Sequence, residues 1–167
     1  MIISKLRAFR RCPSGAAVVE FLLILPLSIL FFGMIVEFGR MYWGYQAAVA
    51  GVRDASRYLA RVSDIRICQT GGSLDGYEAT LKTMIEEDLS GASVLPVQFT
   101  IDSVDASYAC MAATGGAPAF LNSPMPLATV DATVTMQLPL GHLFSTFGGR
   151  LTSVTTHVAD QARIYGQ

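Results

Sequence analysis

Glu20 is the residue whose chemistry most needs an explanation. It is the one charged side chain between Gly15 and Val36, in a run otherwise apolar or small. An ionised carboxylate in mid-membrane costs about 2.5–3.5 kcal/mol, so Glu20 requires a partner. The run offers no Lys, Arg or His. The carboxyl must then be protonated, meet a headgroup, meet another subunit, or face a positive charge created by processing. A cut between Gly15 and Ala16 supplies such a charge, because the new α-amino group lies about one helical turn, ~6 Å, before Glu20.

The remaining reactive residue types form no catalytic set. His142 and His157 lack companions at metal-ligand spacing, and no HExxH, CxxC or GxSxG occurs. The glycine pairs at 71–72, 115–116 and 148–149 lack the lysine of a phosphate loop. Glu86, Glu87 and Asp88 read as a solvated helix face. The expectation is no enzyme, no catalytic residue, no metal and no cofactor. Twelve basic and thirteen acidic side chains give a net charge of −1, and no basic patch interleaved with aromatics suggests nucleic acid.

Three cysteines remain. Cys12 falls among Lys5, Arg7, Arg10 and Arg11, an uninterrupted positive excess that holds this end in the cytoplasm. Cys68 and Cys110 lie beyond the apolar run, on the oxidising side, and form a natural pair. Closing about forty residues stabilises a domain by roughly 4 kcal/mol. The alternative is two free buried thiols.

These residues need elements to position them. Ala16–Val36 is long enough as a helix to cross most of a ~30 Å hydrocarbon core, with Pro26 expected to kink or loosen it. A cleavable secretory signal competes with this anchor, but its apolar region is shorter and carries no carboxylate. Beyond Glu37, the residues Phe38, Met41, Tyr45, Ala48, Val52, Ala55, Leu59 and Val62 recur at spacings of three and four. That stripe predicts that the helix continues to about Val62 and docks on a domain by one face, the alternative being a free coiled coil. Tyr42, Trp43 and Tyr45 follow the span, where rings favour the headgroup level or equally a neighbouring subunit.

Further on, Asp75 is expected to cap a helix reaching about Leu89, with Leu81, Met84, Ile85 and Leu89 inward. Alternation predicts strands over 97–102 and 130–138, and a third from Leu151 to about Ile164. Met111–Pro126 and Pro139–Gly149 read as loops. The fold class expected is α+β, a long N-terminal helix packed on a small antiparallel sheet.

The basic leader, Gly15, and Ala16, Ala17, Val18, Val19, Glu20 and Phe21 at the head of a hydrophobic helix resemble the signal of type IV pilin precursors. Pro26, Glu37–Arg40 and Ala47–Arg53 extend the resemblance, as far as about Arg57, to TadE-like pseudopilins of tight adherence (Tad) pili. The resemblance implies a pilin-like fold, cleavage by a prepilin peptidase between Gly15 and Ala16, and a docking role for Glu20 and Phe21. It implies as partners the major pilin, other pseudopilins, the inner-membrane assembly platform and membrane lipid. It also implies a bacterial inner-membrane location, a periplasmic C-terminal domain, and a pilus or cell-surface location after assembly. The organisation expected is a leader at 1–15, a span at 16–36, a helical extension at 37–63 and an exported domain at 64–167. The rival reading is a monomeric bitopic envelope protein whose exported domain binds a ligand or partner.

Overall fold

A computed structural model describes residues 13–112, 124–142 and 152–166. The first helix, α1, runs unbroken over Pro13–Val62, straight through Pro26. Proline suits its first turn, where an N–H has no intrahelical acceptor to lose. Two compact units divide the chain, 1–39 and 40–167, and α1 contributes to both.

In the second unit a short helix, α2 (Ile67–Thr70), a 3-10 turn (Asp75–Tyr77) and α3 (Glu78–Glu86) precede three strands. These are β1 (Phe99–Met111), β2 (Met125–Gln137) and β3 (Ser153–Arg163), an antiparallel meander in the order β1-β2-β3. Alternation on β2 is complete: Ala128, Val130, Ala132, Val134 and Met136 are buried, as Leu138 is just beyond it. That face packs with Ala48, Val52, Ala55 and Leu59 of α1 in one core, the α+β arrangement expected. The stripe narrows at its ends, since Phe38, Tyr45 and Val62 are exposed.

Four expectations need correction. The first strand begins at Phe99, leaving Val97 outside and 97 % exposed, and it continues to Met111. A register shift between Ile101 and Ser103 changes the phase of alternation, so Val104 and Ala106 return to the core after a break that imitates a strand end. Both ends of the expected 111–126 loop are strand: Met111 pairs with Met125 and Cys110 with Pro126. Pro126 is tolerated because it is the second residue of β2, and its carbonyl oxygen accepts from the Ile164 N–H at 3.0 Å.

The third correction concerns α3, whose N-cap is Tyr77 with no side-chain cap, while Asp75 opens the 3-10 turn. The fourth is its end. Asp88 Oδ1 accepts from the Ser90 N–H at 2.8 Å, the Ala92 N–H at 3.0 Å and the Ser90 hydroxyl at 2.6 Å. This turn stops the helix at Glu86 and carries Leu89 into solvent, so only Leu81 and Ile85 are fully inward and Met84 half-buried.

The C-terminal residues close the far end of the docked helix. The Tyr165 N–H donates to the Ala60 carbonyl at 3.0 Å, and the Ile65 N–H to the Gly166 carbonyl at 3.2 Å. A Cβ on Gly166 would meet the carbonyls of Arg61 and Ser63, so backbone closeness fixes glycine there.

Candidate functional site

The first unit presents α1 with its apolar side chains outward. Phe21, Leu23, Leu27 and Phe32 are each more than half exposed, and an 18-residue window reaching mean hydropathy 2.5 is entirely unburied. All backbone groups inside such a helix bond within it, which lets it stand in lipid. Glu20 and Ala16 are exposed on this helix, one turn apart, and Gly15 is buried. The structure therefore places Gly15, Ala16, Glu20 and Phe21 on one helical segment, exposed from Ala16 onward.

Docking of the second half of α1 depends on small residues. A Cβ on Gly44 would collide with the Phe99 ring, and one on Gly51 would press on the backbone of Ile85. Ser56, fully buried, donates through Oγ to Asp160 Oδ2 at 2.6 Å, with the Arg53 carbonyl oxygen 2.9 Å away. The bond ties the helix to β3. Sequence reading missed Gly44, Gly51 and Ser56; the sevenfold spacing of the two glycines beside the apolar stripe was the available signal.

The outer sheet face is polar. The Thr135 hydroxyl donates to Asp102 at 2.6 Å and lies 2.8 Å from that of Thr155. Thr133 Oγ1 is 3.3 Å, and Asp131 Oδ1 3.4 Å, from the same nitrogen of His157, Nδ1. A hydroxyl-imidazole-carboxylate relay needs the two ring nitrogens to face different partners, so this line is a surface hydrogen-bond ladder. Among the described residues no three His, Cys, Asp or Glu side chains are grouped to hold a metal ion. An open groove of about 550 Å³, between Ala47, Ala50 and Gly51 of α1 and Met84, Leu89 and Val94, brings no reactive groups together beyond the acids Asp54, Glu87 and Asp88.

The Asp88 carboxyl is held below the usual carboxylate range, first by the Ser90 hydroxyl and then by the amides of Ala92 and Ser90. Cys68 and Cys110 are joined as a disulfide, Cα atoms 5.8 Å apart, fastening α2 to the end of β1. Cys12 with the basic residues around it, residues 113–123 of the 111–126 segment and residues 143–149 of the 139–149 segment lie outside the described residues.

The TadE-like protein family matches residues 15–57. No curated protein and no solved structure matches the chain. The matched stretch coincides with the exposed apolar half of α1 and most of its docked half. Over residues 15–57 the chain is similar to TadE-like proteins.

Proposed function

We propose that this protein is a minor pilin or pseudopilin of a Tad-type pilus, made as a membrane precursor, cut after Gly15 and used in starting or building the filament. The observation that carries the reading is that the family-matched segment takes in the apolar first half of α1, which its own chain leaves uncovered. Such a surface is stable in lipid and, after extraction from lipid, against the same helix of other subunits. A prepilin peptidase would release the amine of Ala16. Glu20 of the same or a neighbouring subunit then supplies the counter-charge. The disulfide-closed domain lies in the periplasm, and the partners are the major pilin, other pseudopilins and the assembly platform.

Mass spectrometry of the membrane-extracted N-terminus tests processing. Wild type should begin at Ala16, and Gly15→Leu should retain the leader; identical N-termini would refute cleavage there. Assembly is tested with Glu20→Gln. This change removes no contact from the 40–167 unit and eases insertion, so the protein should accumulate with its disulfide intact. Crosslinks to other pilins should be lost, because the neighbouring amine loses its counter-charge, at a cost of several kcal/mol for a buried pair. Unchanged crosslinking at equal abundance would defeat the assembly role.

A further inference from the structure

The open groove of about 550 Å³ on the 40–167 unit joins an apolar floor, with Gly51, Met84 and Leu89, to an acidic rim of Asp54, Glu87 and Asp88. No Lys or Arg lines it. Two bases stand close by, and each faces an acid of its own helix: Arg57 is 3.9 Å from Asp54 on α1, and Lys82 is 3.8 Å from Glu86 on α3. Arg40 lies on the same side of α1 as the groove, but about 10 Å before Ala47 along the axis. Asp88 Oδ1 is occupied by its own turn. Among the described residues no cation pairs with Glu87 or Asp88, and Glu87 is exposed.

This combination selects its occupant by chemistry. The rim repels an anionic headgroup or a nucleic acid, and a purely apolar segment would strip water from three carboxylates and return nothing. A side chain with an apolar stem and a cationic head satisfies both parts. Arginine does so best, laying its stem along the floor and giving a weakly hydrated, forked guanidinium to the rim.

The chain itself presents such side chains. Arg53, Arg57 and Arg61 recur at four-residue spacing on α1 and are all exposed. At 100° per residue they fall within about 80° of one another, opposite the core stripe, whereas Ala47, Gly51 and Asp54 share a sector about 90° further round. Arg53 forms no ion pair with a described residue, and Arg61 uses Nε to donate to the Tyr165 hydroxyl at 3.0 Å. Within one chain the row therefore touches the groove only at its edge, through Arg57 and Asp54. That pair is largely exposed and contributes little, so it is free to exchange partners.

We propose that the groove takes the face bearing Arg53, Arg57 and Arg61 of a second copy of this chain. The contact is head-to-tail, groove of one copy against arginine row of the next. Such a contact leaves a groove unfilled at one end and a row uncovered at the other, so it propagates into a ring or an open helical array. It uses the 40–167 unit alone. It is independent of cleavage after Gly15, of Glu20 and of the pilus reading.

The test uses the full chain, purified in mild detergent as an equal mixture of light-nitrogen and heavy-nitrogen copies. Arg57→Lys keeps the charge and supplies an amine that a carbodiimide can couple to a touching carboxylate. Mass spectrometry should find amides between a light and a heavy copy that join position 57 to Glu87. Coupling confined to Asp54 within one copy would overturn the proposal. Charge reversal reads the same contact through co-purification of differently tagged copies. Glu87→Lys in both copies, or Arg57→Glu in both, should reduce co-purification about tenfold or more, because like charges then face each other. Mixing a copy carrying Glu87→Lys with one carrying Arg57→Glu should restore it, since an intact groove again meets an intact row; that rescue also shows that both variants fold. Co-purification unchanged by either reversal would mean that the copies meet elsewhere, and reversal without rescue would mean that the two patches are not partners. Carbodiimide coupling of Glu87 in native membranes to a different protein alone would give the groove another occupant and overturn the proposal as well.

Discussion

One helix does two opposite things in this protein. Leu23 in its first half is 74 % exposed and Leu59 in its second half is completely buried, yet both stand in the same unbroken run of helical hydrogen bonds. The first half is apolar on every side and has no core to face. The second turns a stripe of Ala48, Val52, Ala55 and Leu59 into the core and sets Arg53, Arg57 and Arg61 on the other faces. Local helix geometry is thus indifferent to its surroundings; the distribution of side chains around the axis decides whether a half packs on the sheet or stays uncovered by its own chain.

The largest effect that sharpens this contrast comes from the disulfide. Cys68→Ser with Cys110→Ser should lower the stability of the 40–167 unit by about 4 kcal/mol, read from urea midpoints, while membrane extraction of the span is unchanged. Loss of membrane retention would show that the halves are coupled. Next is a pair of leucines on the same helix. Leu59→Ala leaves a cavity beneath the sheet and should cost about 2–5 kcal/mol, whereas Leu23→Ala should leave the urea midpoint unchanged. Equal effects would refute the division.

How far the sequence reveals this architecture depends on how redundantly each feature is written. The long apolar helix and the docked stripe repeat their signal over many residues, so both were legible, as was β2 from Val130 onward, though not its first five residues, 125–129. β1 was half legible because one bulged position reversed the phase after Ile101. Pro126 suggested a loop because the residue type disfavours strands, and only its place at the strand's start makes it acceptable. Leu89 suggested an inward residue because helical spacing was extended past a turn that Asp88 makes with side-chain bonds. For the proposed site, Glu20 and Gly15 are singled out by residue type and spacing alone. The contacts of Gly44, Gly51 and Ser56 were not legible, since each depends on what folds back against it from distant sequence.

A smaller effect tests the polar tie between helix and sheet. Ser56→Ala removes the hydroxyl from Asp160 and should cost about 1–2 kcal/mol, with Asp160 half-exposed and able to recruit water. Adding Asp160→Asn to Ser56→Ala should cost little more than the single change if the two side chains act as one unit. Full additivity in urea denaturation would show that the 2.6 Å contact contributes nothing specific.

The smallest effect concerns the Asp88 turn. Its three bonds to Asp88 Oδ1 favour the ionised carboxylate, which is why its acidity is raised in the folded state. A carboxyl whose folded pKa is depressed binds its proton more readily when unfolded. Its stabilising contribution is therefore fully present above the unfolded value of about 3.9 and is lost as pH falls through the depressed folded value. Asp88→Asn keeps an acceptor oxygen for the turn but removes the charge. Wild type should consequently exceed Asp88→Asn slightly in urea midpoint at neutral pH, and the gap should close as the solution is acidified below about pH 4. The side chain is fully exposed and screened by water, so this gap should be smaller than any effect above. A gap that stays constant with pH would mean that the turn depends on the shape of the side chain and not on its charge. The turn would then end α3 equally well with the carboxylate, the neutral acid or the amide, and the acidity of Asp88 would be a by-product of the turn with no part in holding it.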